Sequence, residues 1–191
     1  MVSYIFKKNR GDYKVKYYQL VFGDDNYCGL TAKDTLTYDF MQSFDGRNHS
    51  KSWLPLRVRK ESSDKEKPLS DAPYFFVPVF SKKALECLYA IMADDVEVLP
   101  LEYDDGEYYA INVVSVIDVI DYEKSDFIKF NNSDKIMLFK SYAFCKDKIK
   151  DQNIFKIIDE PRRRAFVSEK FKQIVDENHL TGFNFEFICD I

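Results

Sequence analysis

The sequence predicts an α+β fold built on a mainly antiparallel, mixed sheet with two short helices, near 81–93 and 168–178. Three observations predict it. Strand-like stretches outnumber helical ones without alternating regularly with them, which argues against a parallel βαβ array. Both helical stretches begin at a serine that follows a short apolar strand, and serine is a favoured helix N-cap. A further strand follows each helix. A strand–Ser–helix–strand unit therefore occurs twice, with 87 residues from Ser81 to Ser168, a period too long for a solenoid.

The elements follow in chain order. Tyr4 and Phe6 alternate with polar neighbours, and residues 14–22 (KVKYYQLVF) are β-rich and end at the turn cluster Gly23-Asp24-Asp25-Asn26. Apolar Leu54, Leu56 and Val58 mark a strand that Pro55 confines to an edge or a start. Residues 61–73 (ESSDKEKPLSDAP) are polar, carry two prolines and read as a long loop or internal boundary. Tyr74-Phe75-Phe76-Val77 reads as a short aromatic strand. Ser81 caps a helix with Leu85, Leu88 and Met92 on one stripe and Ala84 and Ile91 beside it. Residues 96–99 form a strand, and Asp104-Asp105-Gly106 supplies hairpin turn chemistry. The most β-prone stretch is 108–120 (YYAINVVSVIDVI), and 127–130 and 136–139 flank a turn at Asn131-Asn132-Ser133-Asp134. Another strand covers 153–158. Phe166 and Val167 then lead into a helix capped by Ser168, with Glu169 suiting the helix dipole and Phe171, Ile174 and Val175 at helical spacing. Gly182 can take the left-handed conformation where this helix ends, and Phe183, Phe185 and Phe187 alternate along a closing strand.

A chain of 191 residues and 22.6 kDa suits a single domain over 1–191, with a strand-and-loop N-terminal part at 1–73. At that length about 70% of the open chain's surface is buried on folding. With 46% hydrophobic and 31% charged residues, disordered and membrane classes are excluded. No stretch approaches the length of a membrane span, and the opening MVSYIFKKNRGDY has no apolar secretion segment. Cys28, Cys87, Cys145 and Cys189 are too widely spaced for a structural zinc site. They are expected to be reduced and mostly buried, and the protein to be cytoplasmic.

The net charge of −4 speaks against a dedicated nucleic-acid binder. Its distribution says more. Residues 1–22 carry a local net of +4, whereas 94–126 hold eleven acids against Lys124 alone, a local net of −10. Such a concentration can steer a basic partner; solvated hairpin turns are the competing explanation. The candidate partner-contacting residues are Asp94, Asp95, Glu97, Asp104, Asp105 and Glu107.

Catalytic patterns are missing. Only His49 and His179 exist; the first lies in a polar, loop-like stretch and the second beside a helix end. No nucleophile elbow, phosphate loop, dinucleotide fingerprint or metal-binding helix motif occurs. The pairs Asp24-Asp25, Asp94-Asp95 and Asp104-Asp105 sit in polar turns, whereas acid/base hydrolysis needs two carboxylates in unlike environments. Arg162-Arg163-Arg164 is the one basic triplet; it suits a phosphate, an acidic partner, or local pairing with Asp159 and Glu160. No catalytic residue, cofactor or metal is expected.

The C-terminal stretch resembles a known family. The words are Asn153-Ile154-Phe155-Lys156-Ile157, Glu160-Pro161-Arg162, Phe166-Val167-Ser168-Glu169-Lys170-Phe171-Lys172 and Leu180-Thr181-Gly182-Phe183-Asn184-Phe185-Glu186. Phe76-Val77-Pro78-Val79-Phe80-Ser81 and Tyr109-Ala110-Ile111-Asn112-Val113 fit the same pattern. They are similar to immunity proteins of bacterial polymorphic toxin systems, in particular immunity family eleven and its near relatives, over about 74–191. The resemblance implies a non-enzymatic inhibitor that binds a cognate toxin domain encoded by a neighbouring gene and protects the producer cell and its kin. It assigns no role to Arg163 or Arg164. A hydrolase or transferase with a carboxylate site, and a nucleic-acid-binding module using Lys7, Arg10, Lys14, Lys16 or the arginine triplet, are the alternatives.

Overall fold

A computed structural model describes residues 14–149 and 151–191. The expected strand at Tyr4 and Phe6, and most of the basic N-terminal run, lie outside the described residues. The fold is α+β. One five-stranded sheet has the order β12 (Phe183–Asp190), β1 (Lys16–Phe22), β11 (Phe166–Ser168), β10 (Ile154–Ile157), β7 (Val116–Ile117). The other has the order β2 (Leu30–Ala32), β3 (Leu56–Lys60), β5 (Val96–Glu102), β6 (Tyr108–Val113), β4 (Val79–Ser81). The strands β8 (Asp126–Lys129) and β9 (Ile136–Ser141) form a separate hairpin. Most pairings are antiparallel; β3 with β5 and β7 with β10 are parallel.

The repeated unit is present and takes the same form in both sheets. β4 leads through α2 (Lys82–Met92) to β5, and β11 leads through α3 (Glu169–Glu177) to β12. In each case the two flanking strands run parallel with one antiparallel strand between them. In the second sheet that strand is β6, the hairpin partner of β5. In the first it is β1, contributed from the other end of the chain. Residues before 74 therefore complete the C-terminal unit.

Both helices start as the serines require. Ser81 Oγ accepts from Ala84 N at 3.1 Å and donates to Asp71 at 2.8 Å. Ser168 Oγ accepts from Phe171 N at 3.3 Å and donates to Asn153 at 2.9 Å. Each cap is thus itself fixed by an upstream side chain. The helices pack on each other, and their stripes (Ala84, Leu88 and Met92; Phe171 and Val175) share one core with Leu20, Phe80, Ile111 and Val167 of the two sheets. A second core, with Tyr17, Phe139, Phe144, Phe155 and Phe166, includes the inner face of the β8–β9 hairpin. A third, with Phe44, Val58, Phe75 and Leu99, lies on the opposite face of the second sheet. Each fully buried phenylalanine contributes roughly 1.5–3 kcal/mol by leaving water.

Several expectations need correction. Residues 74–77 are not a strand. Phe75 and Val77 point into the third core with a strand-like alternation, but the segment lies between Pro73 and Pro78 and the ladder starts at Val79. The stretch 108–120 is two strands. At its break Val114 N and Ser115 N both donate to the Asp95 carbonyl, and the chain crosses to pair β7 with β10. A third short helix, α1 (Tyr38–Gln42), is capped by Thr37. α3 closes through His179, whose φ is +50°, with His179 N donating to Asp176 O and Leu180 N to Val175 O. That is a Schellman-type cap with histidine at the position usually held by glycine. Gly182, with φ +81°, makes the next turn instead. Phe187 keeps the alternation of Phe183 and Phe185 opposite Tyr18 but is 58% exposed, and the bulge that follows it turns Ile188 and Cys189 to the second core. All four thiols are free, but only Cys28 is buried and the other three are half-buried.

Candidate partner-binding surface

The six candidate acids fall into separate groups. Asp94 and Asp95 occupy the turn between α2 and β5, and Glu97 lies on β5. Asp104, Asp105 and Glu107 occupy the turn between β5 and β6, at the other end of that seven-residue strand, roughly 20 Å away at strand rise. The negative run is also partly neutralised in space. Lys33 reaches Asp104 at 3.0 Å and Lys82 reaches Glu107 at 2.6 Å. Lys148, Lys124 and Lys140 pair with Asp118, Asp121 and Asp126. Exposed pairs of this kind add little stability, but they reduce the field the sequence alone implies. Asp94 and Asp105 are exposed and have no ion-pair partner among the described residues.

Glu97 is turned toward the chain's own loop. Its carboxylate accepts from His49 N at 2.6 Å, Ser50 N at 3.0 Å and Asn112 Nδ2 at 2.9 Å. Burial alone would raise its pKa, but these donors hold it below the ordinary glutamate value. Asp95 goes the other way: burial raises its pKa against the opposing Ser115 hydroxyl. The polar stretch around His49 is therefore fixed by Glu97 and by the His49 ring stacked 4.6 Å from Phe44. His49 Nε2 lies 3.3 Å from Ser43 Oγ and 3.2 Å from the Ser43 carbonyl. Ser43 Oγ already donates to Phe40 O at 2.6 Å, and a carbonyl facing Nε2 assigns the imidazole proton there. This pair closes the end of α1 and does not have the donor–acceptor order of a nucleophile and its base.

The arginine triplet reaches three acids: Arg162 to Asp45 at 3.7 Å, Arg163 to Glu160 at 3.2 Å and Arg164 to Glu186 at 3.8 Å. Sequence reasoning missed an apolar surface. Ile128, Phe130, Met137 and Leu138 are each at least 37% exposed on β8–β9 and the turn between them. The signal was present, since apolar residues on both faces of a two-stranded hairpin leave one face uncovered.

A family model, the immunity protein family Imm11, matches residues 70–190, well over half of the chain. The chain belongs to the Imm11 immunity protein family. No curated protein matches the chain significantly. The Imm11 match begins beside Asp71, the residue that holds the α2 cap. The words that carried the resemblance are structural here: Phe166-Val167-Ser168 is a buried strand and its cap, and Thr181-Gly182 is the turn bound to Asp71. Among the described residues, no helix is long and apolar enough to cross a membrane. Among them, no group of three or more His, Cys, Asp or Glu could hold a metal ion.

Proposed function

We propose that this protein is a cytoplasmic, non-catalytic immunity protein. It binds the toxin domain encoded by a neighbouring gene of a bacterial polymorphic toxin system and neutralises it by occluding it, protecting the producer cell and its kin in competition between bacteria. The observation that carries this reading is the Imm11 match across 70–190. The polar geometry supports it: the chain's Ser–His contact and its perturbed carboxylates are taken up by caps and loops. The partner is a protein, not a nucleic acid or a membrane.

The proposed contact residues remain Asp94, Asp95, Glu97, Asp104, Asp105 and Glu107, with different tasks. The turn of Asp104, Asp105 and Glu107 presents charge to a basic toxin surface and speeds encounter. Asp94 and Asp95 form a second contact at the far end of β5, and Glu97 acts from below by fixing the loop at His49 and Ser50. Purifying the chain with the toxin domain from the adjacent gene tests this. A stable complex is expected, with association slowed about tenfold at low salt when Asp94, Asp95, Asp104 and Asp105 are reversed together. No complex contradicts the reading; an unchanged on-rate removes the acidic contacts from it.

A further inference from the structure

A cleft of about 270 Å³ opens between β1, the loop after α1, the segment 74–78 and the β10–β11 turn. Lys156, on β10, lines it and is only 5% exposed. Among the described residues its ammonium makes one hydrogen bond, donated to the Phe44 carbonyl at 2.6 Å. Among the described residues no carboxylate lies within ion-pair distance of it; the acid whose charge acts on it is Asp45, whose Oδ2 is bound by Arg47 at 2.9 Å and whose Oδ1 is buried without a hydrogen-bond partner among them. The β10–β11 turn brings Arg162 and Arg164 to the same cleft, each more than half exposed and each held to its acid at no closer than 3.7 Å. Tyr74 and Phe76 supply aromatic wall.

A buried cation is costly unless paired, and the hydrogen-bond partner of this ammonium among the described residues is one neutral carbonyl. Converging cations in a low-dielectric cleft concentrate positive potential and draw anions. Aromatic walls with a few convergent polar groups are the usual make-up of a small-molecule site, although this volume is at the small end. The geometry points to a binding site for a small organic anion, a planar ring carrying a phosphate or carboxylate, with Lys156, Arg162 and Arg164 taking the anion and Tyr74 and Phe76 the ring. This site is separate from the acidic turns, and it stands whether or not the toxin reading does.

Calorimetric titration of the full chain with adenosine 5′-monophosphate, benzoate and inorganic phosphate tests it. Saturable binding of adenosine 5′-monophosphate or benzoate with a Kd below about 1 mM is expected, at least about tenfold tighter than inorganic phosphate. Preference between the two ring compounds identifies the headgroup. Lys156→Met is expected to weaken binding about tenfold or more. Because that change touches the core, Arg162→Gln with Arg164→Gln, both at exposed positions, serves as the second variant with the same expected loss. No saturable binding of either ring compound up to about 10 mM overturns the proposal. So does inorganic phosphate binding as tightly as the ring compounds, or an affinity that neither variant changes.

Discussion

Thr181 and Asp71 hold each other through backbone and side chain across 110 residues of sequence. Thr181 N and Oγ1 donate to Asp71 Oδ2 at 3.0 and 3.1 Å, and Asp71 N donates back to Thr181 Oγ1 at 3.0 Å. The other carboxylate oxygen of Asp71 receives the Ser81 hydroxyl. One aspartate thus joins the start of α2 to the turn after α3, so the helix entry of one repeated unit is locked to the helix exit of the other.

Gly182 follows from that lock. A Cβ there would meet Ser70 Oγ at 2.2 Å and the Ala72 carbonyl at 2.7 Å, at a φ of +81°. Gly182→Ala should lower the unfolding free energy by about 2–4 kcal/mol, from backbone strain and overpacking together. Urea denaturation measures it; a loss under about 1 kcal/mol would mean that the turn is free to move away from residues 70–72.

His179 offers the opposite change. A non-glycine residue at φ +50° in the α3 cap is strained, by about 1 kcal/mol. His179→Gly keeps both cap hydrogen bonds, which are backbone bonds. It should raise Tm by about 2–4 °C for a chain of this size. A lower Tm would show that the imidazole makes a contribution larger than the strain.

Lys156 makes stability depend on pH. Burial lowers its pKa from 10.5 to about 8, with Asp45 opposing. Below pH 8 the ammonium is charged in folded and unfolded chain alike, and the burial cost is fully present. Above pH 8 the folded chain releases the proton first, the unfolded chain binds more protons, and stability rises with pH. The reading is clean only up to about pH 9, because burial also raises the Cys189 pKa above its ordinary 9.0 and that group costs stability at higher pH. Unfolding free energy should therefore increase by about 1 kcal/mol from pH 8 to 9 in the parent and stay level in Lys156→Met. An equal rise in both would assign it to another group.

Much of the scaffold was legible because it is local. A serine between an apolar strand and an amphipathic stretch specifies its own cap, and Asp104-Asp105-Gly106 specifies its own turn. The rest depends on distant partners. Nothing near β1 says that it enters between β11 and β12. The 94–126 run looked strongly acidic because Lys33, Lys82, Lys140 and Lys148, which pair with its carboxylates, lie outside it. Lys156 read as an ordinary strand residue because its acceptor, Phe44, is 112 positions away. The five-residue α1 is too short to show a period.

The position of β1 gives a further prediction. We take 1–191 as one folding unit, so a fragment covering 70–191 should not unfold cooperatively on heating, since it lacks the strand between β11 and β12. A sharp calorimetric transition in that fragment would show that the family region folds alone.

The most direct measurement is bacterial growth with the toxin domain of the adjacent gene induced in the presence and absence of this chain. Growth is predicted to be restored when the chain is co-expressed, and lost again when its acidic contact residues are reversed. Equal growth arrest with and without the chain, at comparable soluble levels of both proteins, would contradict the account.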